Sequence, residues 1–343
     1  MFHPKVDGLW LRAIGGFSPV TVTHTWPHGF DSATWEMDPR FHHPSLRANA
    51  PVTIYDGGVP IGFGRLQEPG ENGEMVVNGL WQQTRHSPCL TAAGGFTTTP
   101  NSAIDGAISR GDVTFTRPAS ISSTGWITTA NGELTLEQLL DGYTAEAGMR
   151  WGVDNYGRVE VKADPTAPMW HVPHAVAGRG LQPAEDEFYT HITGRFITSY
   201  GTSGPVYDVR TVGSDDAADY FGRRGVQVEL EDLGVITAAK AISIITGIFL
   251  RSGARMGWSE GLDLTYGQIV TPGGVPAPLN QVQAGQMVRL AGVVDGSRAY
   301  TLGMSQDVVL GRSTYTDGSD RISLSIVDQA PRNLADVLKV AVE

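Results

Sequence analysis

This chain has almost no cysteine, no long hydrophobic run and few charged residues for its length. Cys89 is the single cysteine in 343 residues, which excludes an intrachain disulfide and a multi-cysteine zinc site and allows folding in a reducing compartment. The longest apolar stretch, around residues 238–250, is broken by Lys240 and is too short to cross a bilayer. The opening residues, Met1-Phe2-His3-Pro4-Lys5-Val6-Asp7, lack the basic-then-apolar order of a secretory signal, so a soluble product made in the cytoplasm is expected. Basic residues are also scarce: Lys and Arg number 25 against 36 Asp and Glu, for a net charge of −11. Binding to nucleic acid phosphates needs clustered Lys and Arg, so this balance argues against it. The excess is uneven, since residues 1–125 hold 8 basic and 10 acidic residues, leaving 17 and 26 for residues 126–343.

Complete catalytic signatures are missing too. No H-E-x-x-H, G-x-x-x-x-G-K-[ST] or full G-x-G-x-x-G occurs, and Gly62-Phe63-Gly64 lacks the third glycine and the following helix. Gly257-Trp258-Ser259-Glu260-Gly261 matches the letters of a G-x-S-x-G nucleophile elbow. That elbow sets its serine between a strand and a helix, with the triad histidine later in the chain. Here a helix is expected before the motif and a strand after it, and the last histidine is His191. A serine hydrolase using Ser259 is therefore a minor alternative.

Other candidate groups read the same way. His42 and His43 are adjacent on an extended segment and point opposite ways, which suits a solvated loop. His171 and His174 have a spacing that serves metals on a helix, but Pro173 between them disfavours the helix. Glu185-Asp186-Glu187 is a contiguous acidic run, whereas a glycosidase pair must face one another across a sugar. No catalytic, cofactor-binding or metal residue is expected. Among the 8 tryptophans, exposed ones out of Trp10, Trp26, Trp81, Trp126 and Trp170 would be able to stack on sugars; most are expected in the core. A carbohydrate- or cell-wall-binding module is accordingly the main alternative function.

What the chain does have is turn-forming residues. With Gly 43 and Pro 20, it suits many short strands and little surface helix, and its length suits two or more domains. Residues 51–81 are the most informative. Val52 and Ile54 alternate with Thr53 and Tyr55, Asp56-Gly57-Gly58 supplies the positive φ of a two-residue hairpin, and Val59, Ile61 and Phe63 alternate with Pro60, Gly62 and Gly64. Those glycines are expected to let the strand curl at a barrel corner. After the turn at 68–73, Met75, Val77 and Gly79 alternate again. Upstream, residues 20–26 form a strand closed by Pro27-His28-Gly29, and residues 32–37 form another with Trp35 in the core.

Further along, residues 82–130 are rich in Thr, Ser, Gly and Pro with weak periodicity, which suggests a loop-rich insertion. Thr135-Leu136-Glu137-Gln138 is a capping box opening a helix over 136–147, with Leu139, Leu140, Tyr143 and Ala147 at helical spacing and Gly148 as its stop. A hairpin over 149–161 turns at Asp154-Asn155-Tyr156-Gly157. A strand is expected over 192–200 and another at Val226, Val228 and Leu230. Thr237 caps a helix whose Ala238, Ala241, Ile242, Ile245 and Phe249 share a face widened by Ile244 and Ile248. Strands then return at 262–265, 287–290, 300–304, 307–310 and 321–326.

Several of these stretches resemble phage tail-tip hub proteins, the minor tail proteins of actinobacterial siphophages, which are similar to the baseplate hubs of contractile phages. The resemblance rests on residues 32–37, Pro44-Ser45-Leu46-Arg47, Asp56-Gly57-Gly58, Gly64-Arg65-Leu66 and Gly79-Leu80 for an N-terminal barrel. Residues 216–224, the strand at 282–290, the turn at 315–320 and Pro331-Arg332-Asn333-Leu334-Ala335 extend it over nearly the whole chain, weakly at 82–130. It implies a mainly β fold with α+β elements. The expected parts are a β-barrel over 1–125 with its insertion at about 82–125, a small helix-plus-hairpin domain over 126–184, and a second β-barrel over 185–343 with a helical excursion at about 214–255. It further implies a structural, non-enzymatic virion protein at the tail tip. Three copies would form a pseudo-sixfold ring joining a hexameric tail tube to a threefold tip. Its partners would be itself as a homotrimer, distal tail or tail-tube proteins, the tape-measure protein and other tail-tip or fibre proteins, around a channel whose acidic surface DNA can pass without sticking.

Overall fold

Short alternating strands separated by glycine turns build a mainly β molecule with a few packed helices. The computed structural model describes residues 1–14, 16–117, 134–146, 149–172, 181–183, 189–202, 204–215, 218–219, 222–252, 256–258, 262–291 and 305–326. The chain forms two compact units. One comprises Met1–Val172, Leu262–Arg289 and Asp307–Val327, and the other is centred on Pro173–Gly261.

The first unit opens with β1 (Phe2–Val6), β2 (Leu9–Trp10) and the one-turn helix α1 (Leu11–Ile14), followed by β3 (Thr21–Thr25), β4 (Gly29–Glu36), β5 (Pro51–Asp56), β6 (Val59–Leu66) and β7 (Glu74–Gly79). Hydrogen bonding orders them β3-β4-β7-β6-β5-β1-β2. Val52 and Ile54 of β5 and Met75 and Val77 of β7 are buried beside Trp35, Phe30 and Leu66, while their neighbours along each strand are less buried. That is the period of a strand with one face on the core. Gly57 and Gly58 adopt φ of 54° and 88° and close Asp56 onto Val59, a type I′ turn. The glycines of β6 have a use beyond the bending expected of them. A Cβ on Gly62 would lie 2.3 Å from the Phe30 ring, and one on Gly64 would lie 2.2 Å from the carbonyl oxygen of Asn78. Their absence of side chain lets β4 and β7 approach.

A 3-10 turn over Leu80–His86 leads to α2 (Pro100–Arg110), α3 (Leu136–Glu146) and the hairpin β8 (Met149–Val153) and β9 (Val159–Ala163). The helix α2 corrects the loop-rich reading of 82–125. It buries Ala103, Ile104 and Ala107 and starts with proline in its first turn. It ends in a Schellman motif, with Gly111 at φ 78° donating its N–H to Ile108 O and Asp112 donating to Ala107 O. Its buried face has one large side chain, Ile104, among small residues, so it carries little hydrophobic signal, and Gly106 lowers its propensity further. That glycine is required: a Cβ there would meet the Leu90 carbonyl oxygen at 1.9 Å.

The capping box of α3 forms as expected. Gln138 N–H donates to Thr135 Oγ1 at 3.3 Å, while Thr135 N–H donates to Gln138 Oε1 at 2.9 Å. Leu136, Leu139, Leu140 and Tyr143 are buried with Leu80, Trp81, Phe115, Trp151, Val153 and Val159 in a core of their own. Thr135→Ala removes the cap and should cost about 1 kcal/mol, visible as a lower denaturant midpoint with an unchanged slope. Because β8 also pairs with β4 in parallel at Gly29 and Val153, the helix-plus-hairpin element shares its sheet with the N-terminal strands.

After β10 (Trp170–Val172) the second unit holds β11 (Leu181–Pro183), β12 (His191–Gly201), β13 (Gly204–Gly213), β14 (Gly225–Glu229), α4 (Ala238–Ser252) and β15 (Met256–Trp258). The sheet order is β13-β12-β14, with β11 and β15 paired separately. Ile192, Phe196, Val228 and Leu230 pack with Ala241 and Ile245 of α4. Thr237 Oγ1 accepts from Lys240 N–H at 3.2 Å, the expected cap. Ile242 departs from expectation. It is 42% exposed, because the buried face is centred on Ala241 and Ile245 and Ile242 lies about 100° round the helix.

The chain then returns to the first unit through β16 (Leu262–Thr265), β17 (Met287–Ala291), β18 (Ser305–Thr316) and β19 (Arg321–Ile326). With β10 they form the order β10-β17-β18-β19-β16, and β18 also pairs antiparallel with β3, from Arg312 opposite Thr25 to Thr316 opposite Thr21. Two hydroxyl pairs, Thr21 with Thr316 at 2.8 Å and Thr23 with Thr314 at 3.1 Å, line this seam. These strands therefore lie in one fourteen-stranded sheet with the N-terminal strands, which corrects the expectation that 185–343 folds as a separate barrel. Residues 312–315 of β18 pair with β19 along one edge and with β3 along the other. Among the described residues neither strand group closes into a barrel. The expectations placed on Ala147, Gly148, most of 216–221, 300–304 and 331–335 lie outside the described residues.

Candidate functional site

A cluster of buried aromatic and titratable side chains lies where the turn before β4, the 3-10 turn and β8 meet. His28 stacks on Trp81 with ring centres 4.2 Å apart and planes 13° from parallel, and it meets Trp151 edge-on at 4.9 Å. The Arg85 guanidinium sits 4.5 Å from the Trp81 ring centre, and Trp151 Nε1 donates to Asp141 Oδ1. His28 Nδ1 and Trp81 Nε1 are buried without a hydrogen-bond partner. Burial first, and the positive charge of Arg85 second, push His28 down to about 4, so the imidazole is neutral at pH 7. On β3, His24 is held down by burial too, against the opposing pull of its 2.7 Å bond to the Ile61 carbonyl and of Asp31. That carbonyl accepts, so Nε2 carries the proton. These imidazoles are packed structural groups. Cys89 is likewise inert, its thiol pushed up to about 12 by burial, with Arg110 opposing.

The residues singled out in the sequence are scattered. The helix expected before the elbow-like motif is α4, but the short strand β15, which ends in Gly257 and Trp258, stands between it and Ser259. The serine itself lies outside the described residues, and the next described residues enter the strand β16 where a hydrolase requires a helix. His42 is exposed on a loop, and the half-buried His43 accepts from Ser45 N–H through Nδ1 at 3.1 Å. His171 lies on β10, exchanging backbone bonds with Val270, while His174, Glu185, Asp186 and Glu187 are outside the described residues. Among the tryptophans, Trp81 and Trp170 are buried, Trp26 donates to Asp164, Trp126 is outside the described residues, and Trp10 is 41% exposed against Tyr55 and Lys5.

A shallow groove of about 650 Å³ is lined by residues including Asp38, Phe41, His42, Glu68, Glu71 and Met75. Asp38 is pulled down to about 2, chiefly by hydrogen bonds from the Arg40 side chain. An exposed ion pair of this kind orders a loop without activating a group for chemistry. Among the described residues no three His, Cys, Asp or Glu side chains gather to hold a metal ion, and no helix is long and apolar enough to cross a membrane. The tightly packed stack around His28 escaped sequence reading, because residues 28, 81, 85 and 151 share no local pattern.

No family model and no curated protein matches the sequence. Solved structures do match it in fold. The 43 kDa tail protein of prophage MuSo2 from Shewanella oneidensis superposes with a TM-score of 0.63 at 12% identity, covering 95% of this chain and 97% of that one. The prophage tail protein gp18 from Listeria monocytogenes EGD-e gives 0.54 at 12%, covering 99% and 98%. The tail protein from Neisseria meningitidis MC58 gives 0.53 at 13%, covering 95% of each. The chain therefore has the fold of these phage tail proteins along nearly its whole length.

Proposed function

We propose that this protein is a structural subunit of a phage tail, the baseplate or tail-tip hub. The observation that carries the reading is the end-to-end match in fold to three tail proteins, with little left over on either side. The finer assignment is a trimeric, pseudo-sixfold ring that joins a hexameric tail tube to a threefold tip. What supports it is that one chain holds two strand groups, β3-β4-β7-β6-β5-β1-β2 and β10-β17-β18-β19-β16, joined through β3 and β18. Three such chains supply six blocks, and a closed ring of them surrounds a channel for the genome and the tape-measure protein. The net charge of −11 suits a channel through which DNA slides. The role proposed is mechanical.

Quantitative mass spectrometry of purified virion tails tests this directly. Three copies per tail are expected; absence from the tail overturns the tail reading, and a copy number other than three overturns the trimeric ring. In solution, light scattering should give a mass about three times 36.7 kDa at the higher of two concentrations.

Trp10 favours a second reading, a sugar-binding tail module, since it is exposed and braced by Tyr55 and Lys5. A glycan array on which Trp10→Ala loses the hits of the natural chain would support that reading, and an array without hits would remove it.

A further inference from the structure

Two surface loops of the first unit are built alike, and we propose that they are the contacts by which one chain engages two neighbouring copies of a single protein in a symmetric ring. The proposal deepens the tail-hub reading and rests on it.

In the first loop Thr91 N–H donates to Gly95 O at 2.8 Å, Gly94 N–H to Thr91 O at 2.9 Å, Gly95 N–H to Thr91 Oγ1 at 3.2 Å and Thr97 N–H to Cys89 O at 3.0 Å. In the second, Thr271 N–H donates to Val275 O at 2.8 Å, Gly274 N–H to Thr271 O at 2.9 Å, Val275 N–H to Thr271 Oγ1 at 3.2 Å and Ala277 N–H to Ile269 O at 2.9 Å. Every bond of one loop recurs in the other 180 positions later, the difference between Thr271 and Thr91. The turn glycines match as well, Gly94 at φ 86° and Gly274 at 80°. So does burial: Cys89 and Ile269 anchor in the interior, Thr91 and Thr271 are half-buried, and the five residues after each threonine are exposed. The letters differ at almost every tip position, so the shared property is shape.

Their composition says what they meet. The tips are Ala92-Ala93-Gly94-Gly95-Phe96 and Pro272-Gly273-Gly274-Val275-Pro276, with no charged side chain and no side-chain hydrogen-bonding group. Phe96 is 61% exposed and Val275 63%. Side chains of this kind make no ion pair or hydrogen bond with a polyanion, a metal ion or a glycan, whereas the centre of a protein interface is depleted of charge and takes aromatic and aliphatic anchors. The turn bonds fix each tip in advance, so little ordering entropy is lost on docking. A chain that presents one shape twice fits a partner present at two copies per chain. In the trimer proposed above that makes six loops for a hexameric ring.

The experiment uses a deletion of the gene in the phage that encodes it, complemented in trans. Phe96→Asp and Val275→Asp are compared with the natural chain, with their double variant and with Val59→Asp, an exposed apolar residue on the β5–β6 turn. Infectious titre, tail morphology by electron microscopy and the melting curve of each purified chain are read. Each single loop variant should lower the titre about tenfold and the double variant about a hundredfold, with defective joining of tube and tip. Val59→Asp should match the natural chain, and all melting curves should coincide. A double variant that restores full titre overturns the loop assignment; a loop variant with a depressed melting curve is replaced by Phe96→Ala with Val275→Ala, judged by the same titre. A deletion whose tails are intact, or that the natural gene fails to rescue, overturns the hub reading itself.

Discussion

Trp151→Ala should destabilise the first unit by about 3–5 kcal/mol, the range for deleting a large aromatic from a packed core. Trp151 is 1% exposed and sits among α3, the 3-10 turn and β9 in the second core. Its ring meets His28 edge-on and its Nε1 bonds Asp141 of α3, so the loss reaches three elements at once. Trp151→Phe keeps much of the packing and drops the hydrogen bond, and should cost about 1–2 kcal/mol. Trp10→Ala, at a site 41% exposed, should stay within about 0.5 kcal/mol of the natural chain. Guanidinium unfolding followed by circular dichroism measures all three. Equal midpoints for Trp151→Ala and Trp10→Ala would remove Trp151 from its central place.

Stability should also fall as the solution is acidified through the histidine range. His28 titrates near 6.5 in the unfolded chain and at about 4 in the folded one, so between these values the unfolded state binds the extra proton. Its contribution is complete above pH 6.5 and is lost progressively as pH falls to 4, reaching about 3 kcal/mol. His24, pushed the same way by burial, adds to the loss. Asp38 acts in a lower window: held at about 2 by Arg40, it keeps its ion pair in the folded chain below its ordinary 3.8 and loses it as pH falls through about 2. His28→Phe keeps a ring against Trp81 and removes one titrating group. Unfolding midpoints at pH 7, 5.5 and 4 should therefore drop less steeply for His28→Phe than for the natural chain. Parallel slopes would show that His28 is not the acid-sensitive group.

The readable parts of this fold were those written locally. Val52 and Ile54 against Thr53 and Tyr55, the Gly57-Gly58 turn, the Thr135–Gln138 box and the Thr237 cap each occupy a few consecutive residues. Each one formed as its letters direct. The helix α2 was hidden because Ile104 is the one large side chain on its buried face, beside Ala103 and Ala107, and because Gly106 serves close packing against the residue 90 backbone. The seam between β3 and β18 joins residues 295 positions apart, and no periodicity reports a pairing at that distance. The stack of His28, Trp81 and Trp151 was out of reach for the same reason. The twin loops escaped because they share only a threonine and a glycine, while their common feature is a set of backbone bonds.

The seam has a consequence for how the protein is made. At about 5–20 residues per second, β3 leaves the ribosome roughly 15–60 s before the strand that will cover its edge. Throughout that interval the edge of β3 that takes β18 is an open template for any other nascent chain. Arrival of β18 closes it, so a strand made late protects one made early. A chain that terminates before residue 312 keeps that edge bare and is exposed to aggregation.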